Sequence, residues 1–133
     1  MKHLPTVAGA LLGLLFIASG LVVLLKLVPM PPIPEGTPEA HFMAAFGPTG
    51  YLTFVKVLEV IGGLLLIIPR TRNLGLLVVG PIIVNILAFH LFVTKGVGLF
   101  NPPLIIICLL AAYLLWVGRK AFGDLTGSAP ATA

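Results

Sequence analysis

The chain has 133 residues, enough for one domain, of which 59% are hydrophobic and 9% charged. A soluble domain carries roughly a quarter charged residues, so this composition excludes an ordinary water-facing surface. The formal net charge of +4 comes from isolated Lys and Arg at segment ends rather than from a basic face. That pattern fits membrane orientation and argues against nucleic acid as a partner.

In chain order, a first apolar span is predicted over residues 7–28, with Lys26 as its one charge. It is longer than the apolar part of a signal peptide and lacks a small-residue cleavage site, so it is expected to be retained. Gly9 and Gly13 form a Gly-x-x-x-Gly that would let another helix approach closely. The Pro-rich stretch 29–34 cannot be helical throughout, because it lacks too many N–H donors. Thr37-Pro38-Glu39 is a helix start, and a short helix follows it to Gly47-Pro48. With Phe42, Met43 and Phe46 on one side, this helix is expected to lie in the membrane interface or to fold back over the bundle.

A second span is predicted over 50–69, a tight turn over 70–73, and a third span over 74–93. Pro81 should kink the third span and free the carbonyl of Leu77. Asn101-Pro102-Pro103 opens a fourth span over 102–118, and residues 123–133 read as a disordered tail. The expected fold is an all-α membrane protein: one domain over 1–122, with four transmembrane helices in an up-down bundle. Lys2, Arg70, Arg72, Arg119 and Lys120 gather on one side, which puts both termini in the cytoplasm.

At about 1.5 Å per residue, Glu59 and Asn85 lie roughly 12 Å inside the outer boundary and Ser19 roughly 13 Å, with Lys56, Lys26 and His90 shallower. Ionisable residues inside a membrane need a reason. One reading is a structural Lys56–Glu59 pair, joined by Lys26 and Asn85. The other is a small outward-facing pocket for a polar head group such as a quinone ring, with Gly63 leaving room beside Glu59 and Glu59 able to accept a proton from a quinol. His3, His41 and His90 are not expected to make a metal site. The single cysteine, Cys108, excludes an intrachain disulfide and a Cys-x-x-Cys redox pair, and reads as a packing residue.

Ser19-Gly20 followed by Lys26, then Lys56-Val-Leu-Glu59-Val-Ile-Gly62-Gly63 running to Pro69-Arg70, resembles the DoxX-like membrane proteins. The segment from Asn85 to His90 is similar to one subset of that family. The resemblance covers about residues 7–118, and Glu59-x-x-Gly62-Gly63 is its most specific part. It implies a four-helix protein of a bacterial or archaeal inner membrane, associated with a quinone-linked membrane oxidoreductase complex. With no redox or hydrolytic set of its own, the chain is expected to be an accessory subunit rather than an enzyme. The competing expectations are a small-molecule or lipid transport component using Glu59 as a proton or cation site, and a purely structural assembly partner.

Overall fold

The computed structural model describes residues 2–127, and every regular element among them is helical. The helices are α1 (Leu4–Leu24), α2 (Pro38–Phe46), α3 (Tyr51–Ile67), α4 (Arg72–Ala88), α5 (Pro102–Val117) and α6 (Arg119–Thr126). Two continuous helical stretches, Leu4–Leu24 and Arg72–Val93, are long and apolar enough to cross a membrane. There are up to four such spans if each of two bent helix pairs is counted as one. At about 1.5 Å per residue, α3 and α5 by themselves reach only about 25 Å.

Helix ends follow local chemistry. α1 stops at Leu24, short of the predicted end at residue 28. Lys26 adopts a left-handed φ of 52°, its N–H donates to the Val23 carbonyl, and the Leu27 N–H reaches back to Val22. This is the Schellman closure, here with a lysine where glycine is usual. The Thr37 hydroxyl accepts from the Ala40 N–H at 3.2 Å and caps α2. Gly50, with φ at 80°, turns the chain through an 81° corner from α2 and its terminal turn into α3. α3 ends at Ile67 because Ile68 precedes Pro69 and is held extended. The Thr71 hydroxyl then donates to the freed Leu65 carbonyl at 2.8 Å. α4 runs through Pro81 without a break and widens over Phe89–Val93 into a π-helical segment. Residues 123–126, expected to begin an irregular tail, instead complete α6, which bends 70° from α5. The rest of that expectation, over 128–133, lies outside the described residues.

α1 packs mainly on α3, α3 also packs on α4, and α5 bridges α1 and α4. Leu12 and Phe16 from α1, Leu66 from α3, Val79 from α4 and Leu114 from α5 fill the centre. The outside is as apolar as the inside. Leu11, Leu14, Phe54, Leu64, Leu77, Val84 and Leu109 are all exposed, the reverse of a soluble surface. In lipid such a surface gains nothing by burial, so helix association rests on close packing. The glycines provide it. A Cβ at Gly13 would lie 2.5 Å from the Gly63 carbonyl oxygen, and one at Gly63 would lie 2.6 Å from that of Gly13. Gly9 abuts Leu66 and Arg72, while Gly62 abuts Val79 of α4.

Candidate functional site

Five of the six predicted site residues fall in two places. The first is on the α1–α3 side. Lys56 and Glu59 are one helical turn apart, and the Lys56 Nζ donates to Glu59 Oε1 at 3.1 Å and Oε2 at 3.3 Å. It also donates to Ser19 Oγ on α1 at 3.4 Å. Glu59 is only 2% exposed, whereas the Lys56 side chain keeps 23% of its surface. The ammonium has three protons and three acceptors within reach, so the group is self-contained. Gly63 leaves no room beside Glu59, contrary to expectation, because Gly13 of α1 occupies its open face.

The second place is a cleft of about 810 Å³ walled by α2, α3 and α4. α3 turns a different face to it from the one carrying Lys56, so Val55 and Leu58 line the cleft while Lys56 and Glu59 do not. α4 contributes Pro81 and Asn85, which lie off its buried stripe of Gly75, Leu76, Val79, Ile82 and Ile83. α2 lies across one side. Phe42 packs edge-on against Phe89 at 5.1 Å and beside Phe46 at 4.8 Å, and Phe46 leads on to Tyr51 at 5.1 Å.

The lining is almost wholly apolar. Asn85 is exposed in it, and its side chain makes no hydrogen bond to another described residue. His90 stands on the same wall in the π-helical segment. Its Nδ1 is 2.9 Å from the Ile86 carbonyl, which can only accept, so Nδ1 is the donor. The Cδ2–Nε2 edge lies against Gly98.

The predicted single cluster is therefore divided. Lys56, Glu59 and Ser19 come together between α1 and α3, and Asn85 and His90 line the cleft. Lys26 joins neither, being exposed beyond the end of α1. The aromatic wall of Phe42, Tyr51, Phe54 and Phe89 was not identified from sequence as a site. Its signal was the crowding of aromatic residues on both sides of the Gly47–Gly50 corner. Among the described residues, no group of three or more His, Cys, Asp or Glu converges.

No family model and no solved structure matches the chain. The uncharacterized protein YwoB of Bacillus subtilis (strain 168) is 38% identical over 72 residues, covering 54% of this chain and 45% of that relative. The chain thus spans less than half the length of the curated relative it matches.

Proposed function

We propose that this chain is a DoxX-like membrane protein that binds a quinone in the α2–α3–α4 cleft and serves as an accessory subunit of a quinone-linked oxidoreductase. The observation that carries this reading is Asn85: an unpartnered amide in an apolar, aromatic-walled cleft of about 810 Å³. A quinone offers ring carbonyls to the amide N–H₂ and an isoprenoid tail to the apolar walls. A largely apolar pocket with one or two polar anchors is the usual form of a small-ligand site.

Four spans in an up-down bundle, with both termini cytoplasmic, complete the reading. The short Ile68–Thr71 turn makes α3 and α4 antiparallel neighbours, and the basic residues gather at their joined ends. α2, bent 81° from α3, would then lie along the outer interface. The relative is from a bacterium, which supports a bacterial source for the chain. The test is co-purification: the chain is extracted from native membranes in mild detergent, and its bound lipids and proteins are identified. About one quinone per chain, or a retained redox protein, supports the proposal; neither one retained overturns it.

A second reading, a structural assembly partner, is favoured by the self-contained Lys56–Glu59–Ser19 group. On that reading the ion pair fixes how α1 sits on α3, and the cleft seats a helix of another subunit.

A further inference from the structure

The +4 net charge is not spread over the molecule. Lys2, Arg70, Arg72, Arg119 and Lys120, with Asp124 as their one acid, account for all of it, while the lysines and glutamates elsewhere cancel. The fold draws these residues to one end. Gly9 of α1 lies against the Arg72 side chain, and Gly118, at the α5–α6 corner, lies against Asn73 of α4. The Arg70–Arg72 turn and the Arg119–Lys120 corner are therefore neighbours. Arg70, Arg119 and Lys120 are exposed, and Arg72 is half-buried.

α6 completes this end. It carries Ala121, Phe122 and Leu125 on one side and Arg119, Lys120, Asp124 and Thr126 on the other. Phe122 packs against the core, but Leu125 on the same side is 67% exposed. Trp116, in the last turn of α5, is 65% exposed, with the Arg119 guanidinium 4.1 Å over its ring and donating to the Trp116 carbonyl. A short helix turned 70° from a span, with a basic polar side, an apolar strip and a tryptophan at its root, has the form of an in-plane interfacial helix.

We infer that this end is a docking surface for anionic phospholipid. α6 lies in the plane of the leaflet, with Leu125 and Trp116 in its acyl boundary and Arg70, Arg119 and Lys120 on the lipid phosphates. A positive surface facing an anionic leaflet is the charge complementarity that selects a lipid surface over a neutral protein partner. The inference rests on the reading of the chain as membrane-spanning. That reading fails separately if the wild-type chain is released from membranes by alkaline carbonate.

Trp116 is the single tryptophan and reports directly on this surface. The full chain in neutral detergent is titrated with brominated phosphatidylglycerol and with brominated phosphatidylcholine of the same acyl chains, and Trp116 quenching is read. Phosphatidylglycerol should half-quench at a concentration lower by about tenfold or more. The R70Q/K120Q variant, which leaves the Arg119–Trp116 stack in place, should abolish that preference with an unchanged circular dichroism spectrum. On the wild-type chain, roughly 0.5 M salt should weaken the preference, because exposed charges are screened. Equal quenching by the two lipids, or a preference that survives both the variant and salt, overturns the inference. So does displacement of phosphatidylglycerol by inorganic phosphate, which would mark a free-anion site. A dimer closing over α6 whatever the headgroup would also overturn it.

Discussion

Lys56 and Glu59 are not equivalent halves of their pair. Glu59 is shut in among helices, while Lys56 keeps part of its surface at the α1–α3 margin and can extend outward along its stem. Removing the lysine strands a buried carboxylate, whereas removing the glutamate leaves a cation with an escape. Lys56→Met should therefore cost about 3–5 kcal/mol of stability. Glu59→Gln should cost clearly less, and the double change to Met at both positions should restore most of the loss. Reversible unfolding in mixed micelles gives all three values. Equal costs for the two single variants would refute the asymmetry. The glycines make a second argument at this scale. A methyl at Gly13 or Gly63 meets the opposite backbone carbonyl, which cannot rotate away, so either Gly→Ala change should destabilise by about 1–3 kcal/mol. Gly80, with nothing within 4 Å of an added Cβ, is the internal control, and Gly80→Ala should be neutral or stabilising in the same assay.

Among the elements, α2 has no buried residue and depends on its cap and its aromatic contacts. Thr37→Ala deletes the hydroxyl that accepts from Ala40 and donates to Pro34, and should cost about 1 kcal/mol, confined to this helix. Hydrogen exchange should show α2 amides exchanging about fivefold faster, with α3 and α4 unchanged; uniform acceleration would mean that α2 does not open independently. The α2 cap and start were legible in Thr37-Pro38-Glu39 because capping is local chemistry. The stop of α1 was not. It depends on Lys26 taking a left-handed conformation that its sequence does not advertise, as glycine would. The π-helical widening at Phe89 is equally unmarked. The second half of α6, residues 123–126, reads as tail because Gly123, Asp124 and Thr126 are weak helix formers, and the order of the helix comes from Phe122 reaching the core.

At the scale of the whole molecule, helical spacing shows which residues share a face but not which neighbour that face meets. Depth along the chain put Asn85 level with Glu59, and that was enough to suggest one cluster. α3, however, is flanked by α1 on one side and α4 on another, so the two residues belong to different contacts. Gly63 misled for the same reason: an open face on an isolated helix is a landing place for the next one. The division has a direct functional consequence, because a ligand in the cleft touches Asn85 and does not touch Glu59. The decisive measurement is titration of the purified, folded chain with a short-tailed quinone, comparing wild type, Asn85→Leu, His90→Leu and Glu59→Gln. Asn85→Leu should weaken binding by about tenfold, as expected for loss of an anchoring hydrogen bond in an apolar site, and His90→Leu by less. Glu59→Gln should leave it unchanged. Binding that is insensitive to Asn85→Leu, but lost in a Glu59→Gln chain that is still folded, would contradict the account.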